Sequence, residues 1–418
     1  MVFEEVWGVI MTNALETKIK NIDFNKWTNY FFIAFAFAIP ISKALDSFFT
    51  ALIIISWLLE GNLYNKFQTI KQDRLSLIFL FLIFFSIFSL LWSPDIVYAI
   101  KFIAIKYWHF LAIPIMLTSF KTKYIKYVLN AFLLSMLISE IVSYGIFFEI
   151  WTYNNVPSWD PSPFMNHTDY STFLSFALII ILTKLATVKE LSWRIFYSLY
   201  FITGLSNLFI NGGRTGQVTF IVTIFIMTLF YFKLSIKQIT GVILSLVTLL
   251  VLAYNISPNF HDRVNQVQTD LTNVYEKNEF SGSLSIRIAL WTIGTETFLD
   301  NPIIGTGIGG ETKKIDEYSQ RHGFHDLTTF TDYHNTFIQY AVQLGIIGLL
   351  IPIFVFYTLF TLQFKTEQYK ILTVAFSTIY IMHAMGGFSF HILDSLVFLC
   401  TFGALFNAIS YLEKRESI

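Results

Sequence analysis

The chain has 418 residues, 55% of them hydrophobic and only 13% charged, and its 28 Lys and Arg residues balance 28 Asp and Glu residues. A soluble globular domain carries roughly 25% charged residues, so this composition leaves too little polar surface to coat a body that faces water. The single cysteine, Cys400, excludes both a disulfide framework and a thiolate metal site.

Twelve apolar segments follow one another along the chain, each near the roughly 20 residues that a helix needs to cross a bilayer. Pro40, Ser42 and Lys43 interrupt the first pair, which alternatively forms one bent hairpin. The sequence therefore predicts an all-α polytopic membrane protein with about twelve transmembrane helices, give or take one or two. The segments lie near 28–44, 46–60, 75–92, 97–118, 127–149, 170–186, 195–210, 215–232, 238–256, 334–362, 371–389 and 393–412.

Lysine and arginine collect on one side of these segments. With both termini in the cytoplasm, 18 of the 28 basic residues fall on the cytoplasmic side, three lie within spans, and seven remain on the other face. Every short loop then obeys the positive-inside rule, whereas the inverted arrangement breaks nearly all of them. The seven outer residues are Arg214, Arg263, Lys277, Arg287, Lys313, Lys314 and Arg321.

One outer connection, residues 257–333, is far longer than the others, and loops of this length are uncommon unless they are functional or disordered. It is not low-complexity, and we interpret it as a small folded extramembrane lid with one or two helices. The lid separates spans one to nine (1–256) from spans ten to twelve (334–418). Its apolar residues Ile286, Ala289, Leu290, Ile293 and Phe298 recur at helical spacing, before Asn301-Pro302 and a glycine-rich stretch at 305–310.

Arg214 lies in Asn211-Gly212-Gly213-Arg214-Thr215-Gly216, at the outer start of the eighth span. Glycines before a helix let backbone N–H groups approach a ligand, and a helix N-terminus favours anions. An arginine there adds the bidentate geometry that suits phosphate. The alternative is an interfacial arginine that extends to lipid headgroups.

His334 begins the tenth span in Asp332-Tyr333-His334-Asn335. The positive end of the helix disfavours imidazolium, so the ring should stay neutral and able to accept a proton, as a general base requires. The alternative is a polar ring in the interfacial aromatic belt. Arg214 at the same depth, with Arg263, Arg287 and Arg321 in the adjacent lid, favours the functional reading.

Together these residues predict a cationic mouth at the outer leaflet with a neutral base inside it, which suits a lipid-linked pyrophosphate. Arginines can stabilise the leaving group without a metal, and neither an Asp-x-Asp motif nor a His/Asp/Glu cluster indicates one on this face. We expect no metal and no cofactor.

Several residues are weaker candidates. Lys101 lies about one turn from the outer end of the fourth span and could also meet the pyrophosphate. His167 and Asp169 could line an acceptor groove, although their position favours solvated loop residues. No role is assigned to His383.

Four motifs, in their order and spacing, make the chain resemble the bacterial O-antigen ligase family (WaaL type). That family belongs to a superfamily shared with O-antigen polymerases and some protein O-oligosaccharyltransferases. Single motifs are weak, but their order is specific, and with the predicted topology the similarity covers most of the chain. The motifs are Gly213-Arg214-Thr215-Gly216, Asp262-Arg263-Val264-Asn265, Ser285-Ile286-Arg287 through Trp291 with Asn301-Pro302, and His334-Asn335 leading to Gln339 and Gly345-Ile346-Ile347-Gly348.

The resemblance implies a membrane-embedded, GT-C-like glycosyltransferase that is inverting and metal-independent. Its donor would be a polysaccharide on undecaprenyl pyrophosphate and its acceptor the lipid A–core of lipopolysaccharide, at the periplasmic face of the bacterial inner membrane; no nucleic acid partner is expected. Carried onto this chain, Arg214 and Arg287 would neutralise the pyrophosphate with support from Arg263, and His334 would deprotonate the acceptor. Arg321, Lys101 and Asn335 are further candidates for binding substrate.

Three alternatives remain open, one of which is a protein O-oligosaccharyltransferase of the same superfamily. A polymerase uses the same donor and similar motifs and differs in its acceptor, although the single dominant outer loop favours the ligase. A transporter of lipid-linked sugars would spread ionisable residues through several spans and carry repeats, whereas basic residues here concentrate at one face.

Overall fold

The computed structural model describes residues 22–231, 236–256, 258–277, 280, 282–323, 327, 330–387 and 389–416, and all regular structure within those ranges is helical. The all-α prediction is therefore confirmed for the described part of the chain. Three of the basic residues used to orient the spans, Lys18, Lys20 and Lys233, lie outside it.

Seventeen α-helices occupy the described ranges, and a 3₁₀ turn at Tyr107–Leu111 joins α5 to α6. They are α1 Phe24–Ala38, α2 Lys43–Leu59, α3 Leu63–Ile70, α4 Arg74–Phe88, α5 Ile96–Lys106, α6 Ala112–Ser119, α7 Ile125–Phe147, α8 His167–Thr187, α9 Leu191–Ile210, α10 Arg214–Tyr231, α11 Ile236–Ile256, α12 Pro258–Thr272, α13 Ser283–Asp300, α14 Glu311–His322, α15 Thr336–Phe360, α16 Glu367–Gly386 and α17 Leu393–Arg415.

Six stretches of the described chain are long and apolar enough to cross a membrane, or seven if α2 and α3, which meet at a bend of 117°, count as one. Each of the twelve predicted segments coincides with a helix, but a count of twelve spans is not confirmed. The fold is consistent with a polytopic membrane protein. The six stretches are Arg74–Leu91, Ile96–Ser119, Thr122–Phe147, His167–Thr187, Thr336–Phe360 and Leu393–Arg415.

The first two predicted segments form a hairpin of two packed helices. The turn between them contains Pro40, and Ser42 begins α2 by accepting a hydrogen bond on Oγ from the N–H of Leu45 at 3.4 Å. α1 has only 15 residues, which at about 1.5 Å each falls short of the roughly 30 Å hydrocarbon core. Its length explains why α1 does not qualify as a span.

α17 is the most deeply buried of the six stretches, since 89% of the residues in its apolar 18-residue segment are buried. A helix that is apolar all round belongs at the centre of a bundle. Aromatic rings pack it against its neighbours. The ring of Phe398 lies 4.3 Å from that of Phe173 on α8, and Phe402 meets Phe132 of α7 edge-on at 4.8 Å. Each such pair contributes about 0.5–1.5 kcal/mol beyond area burial, which matters in lipid because packing, not hydrophobicity, joins the helices.

α15 is broken at Gly345, where φ is 67° and ψ is −153°. Backbone groups that a continuous helix would pair internally therefore need other partners, and the turn after α13 supplies them. The N–H of Thr306 donates to the carbonyl of Val342 at 2.8 Å, and the N–H of Ile346 donates to the carbonyl of Pro302 at 2.8 Å. The lid is thereby fastened to the helix that begins beside His334.

The described residues of the lid, which spans 257–333, form three α-helices, α12 to α14, rather than the one or two predicted. α13 uses the predicted apolar positions, since Ala289, Leu290 and Ile293 are fully buried. With Tyr318 of α14 and Tyr333 they form a second hydrophobic core. α13 packs on α15. The lid therefore has its own hydrophobic core and packs directly against the helix that follows it in the chain.

Candidate active site

A cleft of about 640 Å³ opens where α8, α10 and α13 begin and α16 ends. We call it the arginine cleft, because Arg214 and Arg287 both line it, with His167, Gly212 and Met385. Two of the three predicted catalytic residues are therefore brought together, one from α10 and one from the lid.

Arg214 is the first residue of α10, and the Gly212-Gly213 turn before it fixes its position. Oδ1 of Asp160 accepts the N–H of Gly212 at 2.9 Å. A Cβ on Gly213 would lie 2.2 Å from Oγ of Ser171, so only glycine lets this turn pack so closely on α8. The positive end of the α10 helix dipole and the arginine charge make this end of the cleft positive.

Arg287 lies one turn into α13, where Nη1 donates to the carbonyl and to Oγ of Ser283 at 3.1 and 2.8 Å. Partial burial, and then the charge of Arg214, hold the pKa of the Arg287 guanidinium below its usual value. Two like charges that act on each other across one cleft favour the binding of an anion there. The arginine cleft therefore suits a ligand with more than one negative charge.

The lid also contacts Arg214 through α12, since Nη2 of Arg214 donates to Oε1 of Gln266 at 3.4 Å. Arg263 lies one turn before Gln266 on the same helix. Its side chain lies outside the described residues, and its predicted role beside the pyrophosphate stays a prediction.

Asp160 and His167 form a pair at the edge of the cleft, with Oδ2 2.8 Å from Nδ1. Burial raises the pKa of Asp160, but hydrogen bonds from His167 and from Gly212 more than offset it, so this pKa lies below its usual value. The ionised carboxylate ties His167 to the turn that presents Arg214. Nothing in the sequence pointed to Asp160, because its partner Gly212 is distant along the chain.

The interpretation of Asp169 as a solvated loop residue is wrong. Its side chain is fully buried in the first turn of α8, and its Oδ1 lies 3.0 Å from Nε2 of His383. Nδ1 of His383 bonds Oγ of Ser389 at 2.6 Å. His383, which was assigned no role, therefore joins α16 to the start of α8. His167, by contrast, lines the cleft with half of its side chain exposed.

His334 lies just before α15 and has a positive φ of 49°. Oδ1 of Asp332 accepts its backbone N–H at 2.8 Å and lies 2.6 Å from its Nδ1. The imidazole is 34% exposed and the carboxylate 18%. Burial raises the pKa of Asp332, but the hydrogen bonds from His334 more than offset it, so this pKa is lowered.

The end of α16 connects His334 to the arginine cleft. Asn335, next to His334, donates from Nδ2 to the carbonyl of Met385 at 3.4 Å, and Met385 lines the cleft. Oγ1 of Thr336 donates to the carbonyl of Gly387 at 2.9 Å. The residues directly after His334 are therefore bonded to the end of α16, whose Met385 lines the cleft, whereas His334 itself does not line it.

The remaining candidates are placed differently. The amide oxygen of Asn335 caps α15 by accepting from the N–H groups of Phe337 and Ile338. Arg321 stacks on the ring of Tyr318, with its guanidinium carbon 4.3 Å from the centroid, and pairs with Glu317 at 3.6 Å; it does not line the arginine cleft. Lys101 is exposed on α5. Their predicted roles in binding substrate stay predictions.

Within the described ranges, no three His, Cys, Asp or Glu side chains gather as potential metal ligands. The cleft offers the cationic side chains of Arg214 and Arg287, which bind anions, rather than a carboxylate cluster.

Comparison with known proteins identifies a family domain in the chain. Residues 199–353, which include Arg214, Arg287 and His334, match the family model described as O-antigen ligase. The chain is also similar to an uncharacterised protein of Haemophilus influenzae, 24% identical over 188 residues that make up 43% of this chain and 47% of that protein. The match spans less than half of that relative's length. Residues 199–353 thus carry an O-antigen ligase family domain, which confirms the resemblance found in the sequence.

Proposed function

We propose that this protein is an O-antigen ligase, an inverting glycosyltransferase that moves a polysaccharide from undecaprenyl pyrophosphate to the lipid A–core of lipopolysaccharide at the periplasmic face of the inner membrane. The observation that carries the proposal is the pairing of Arg214 and Arg287 in one cleft. The His334–Asp332 pair directly precedes Asn335, which bonds the carbonyl of Met385 at the edge of that cleft.

The pyrophosphate of the donor occupies the arginine cleft. Arg214 and Arg287 hold it with charge-assisted hydrogen bonds, and the N–H groups at the start of α10 add the helix dipole. Charge accumulates on the pyrophosphate as the sugar leaves, so these groups bind the transition state more tightly than the donor.

His334 takes the proton from the acceptor hydroxyl while its oxygen attacks the anomeric carbon on the face opposite the pyrophosphate. The bond between the anomeric carbon and the phosphate oxygen breaks, and undecaprenyl pyrophosphate leaves with the electron pair. The proton then passes from His334 to water. No metal and no cofactor enter these steps, and the anomeric configuration inverts.

The test is transfer by purified protein in detergent, supplied with an undecaprenyl-pyrophosphate glycan and lipid A–core in the presence of a chelator. Wild type is compared with His334→Ala and with His261→Ala, a lid histidine that stacks on Tyr254 and does not line the cleft. We expect glycan on lipid A–core with wild type and His261→Ala, and a loss of at least about 10²-fold with His334→Ala.

Each other outcome has a defined meaning. Longer glycans on the undecaprenyl carrier, with lipid A–core unmodified, would identify a polymerase of the same family. Full activity of His334→Ala would remove the histidine from the mechanism, and activity that disappears with the chelator and returns with a divalent ion would contradict the metal-independent step.

A further inference from the structure

Asp332 holds His334 through two hydrogen bonds that end on the same oxygen atom. Its Oδ1 accepts the backbone N–H of His334 at 2.8 Å and lies 2.6 Å from the ring nitrogen Nδ1. We propose that Asp332 is a positioning residue that fixes both the backbone and the ring of His334, so that Nε2 is presented as the base. This inference rests on the proposed role of His334 in glycan transfer.

The backbone of His334 is the first support for the proposal. Its φ of 49° lies in the left-handed region, which is uncommon for residues other than glycine. Such a conformation is strained and persists where surrounding contacts enforce it. The bond from the N–H of His334 to Asp332 is such a contact, since Asp side chains bind backbone N–H groups two residues on.

The ring bond determines the tautomer. An ionised carboxylate can only accept hydrogen bonds, so the imidazole nitrogen facing Oδ1 must carry a proton. In the neutral ring, Nε2 then has the free lone pair. A base must present that lone pair to the acceptor hydroxyl. Because Asp332 fixes the tautomer, the ring of His334 is in the required form before the acceptor binds.

The charge of Asp332 adds a second effect. Its pKa lies below its usual value, so the group is anionic at neutral pH and stabilises the imidazolium that forms when His334 accepts a proton. Other charged and titratable groups also act on Asp332 from the elements around it. They are His391 between α16 and α17, Lys106 and Tyr98 on α5, and Glu311 on α14.

Asp332→Asn separates positioning by charge from a purely structural role. The amide oxygen can still accept both hydrogen bonds, but the negative charge is lost. We expect kcat to fall about 10–100-fold with KM for donor and acceptor unchanged, and the acid limb of the rate profile to move to lower pH, since an anion beside imidazole favours its protonated form. Asp332→Ala also loses both hydrogen bonds, so its kcat should fall to the level of His334→Ala.

The control is Asp316→Asn, which changes a lid carboxylate on α14 whose Oδ1 accepts from Gln320 at 3.1 Å and should leave rate and pH profile unchanged. Thermal unfolding in detergent is recorded for every variant. A folded Asp332→Asn with wild-type kcat and an unmoved acid limb, alongside an inactive His334→Ala, would overturn the inference and leave the proposed function intact. An active His334→Ala would overturn both.

Discussion

Arg214 and Arg287 reach the same cleft from different parts of the chain, and each is held by a different partner. Arg214 bonds Oε1 of Gln266 in the lid, whereas Arg287 is anchored by Ser283 of its own helix. The planar guanidinium can bind two phosphate oxygens at once, which the ammonium of lysine cannot. Charge and geometry therefore make separable contributions at these two positions.

Arg214→Lys and Arg287→Lys should each lower kcat/KM about 10-fold, and the alanine variants about 10²–10³-fold, since loss of one donor to a developing oxyanion costs a factor of that size. Initial rates of transfer to lipid A–core at several donor concentrations give kcat/KM for each variant. Arg194→Ala, which removes an exposed arginine of α9, should match wild type. Lysine variants that retain full activity would show that charge alone suffices.

α15 shows how one residue shapes an element. Gly345 has φ +67° and ψ −153°, a region that only glycine occupies readily. A Cβ there would lie 2.3 Å from the carbonyl oxygen of Ile303, in the turn that pairs with the broken helix. Gly345 thus allows α15 to break and also leaves room for the turn of the lid that packs against the break.

Gly345→Ala should lower the free energy of unfolding by about 1–3 kcal/mol from backbone strain and expose the lid to protease. Thermal unfolding in detergent and limited proteolysis measure the two effects. Gly241→Ala is the matched control, because its φ is not positive and a Cβ there meets nothing within 4 Å; alanine in that helix should be neutral or stabilising by up to about 1 kcal/mol. Equal stability of both variants would mean that the break is not enforced by Gly345.

Elements differed in how far the sequence predicted them. The spacing of Ile286, Ala289 and Leu290 predicted α13, because a buried helical face leaves a period of 3.6 residues. The segment at 334–362 was read as one span, since composition records apolarity and not the dihedral angles of Gly345. α12 was not predicted because it is mostly polar.

The site was predicted in the same uneven way. Arg214 and Arg287 were recognised from glycine context, charge and motif, and they do share a cleft. Asp332 lies two residues before His334, so its contact was available from spacing and was missed. Asp160 was beyond reach, because its bond to Gly212 joins positions 52 residues apart, and only the fold brings them together.

At the scale of the whole molecule, Glu311 joins the lid to the membrane helices. It is fully buried at the start of α14, where Oε2 accepts the N–H of Gly309 at 2.8 Å and Oε1 accepts Nε2 of Gln343, on α15, at 2.9 Å. Oε1 of Gln343 is buried and has no hydrogen-bond partner within the described residues. Burying an ionised carboxylate is costly, so the contact between the lid and α15 is more stable when the Glu311 carboxyl is neutral.

The stability of this contact between the lid and α15 should therefore depend on pH. Burial raises the pKa of Glu311 from 4.5 to about 7. Between those values the folded state binds more protons than the unfolded one, so the free energy of unfolding falls as pH rises through the window, by up to about 3 kcal/mol. Glu311→Gln keeps a neutral donor and acceptor and should flatten the fall in Tm between pH 5 and 7.5. Glu317→Gln, on an exposed face of the same helix, should keep the wild-type slope, and an equal slope in Glu311→Gln would locate the titrating group elsewhere.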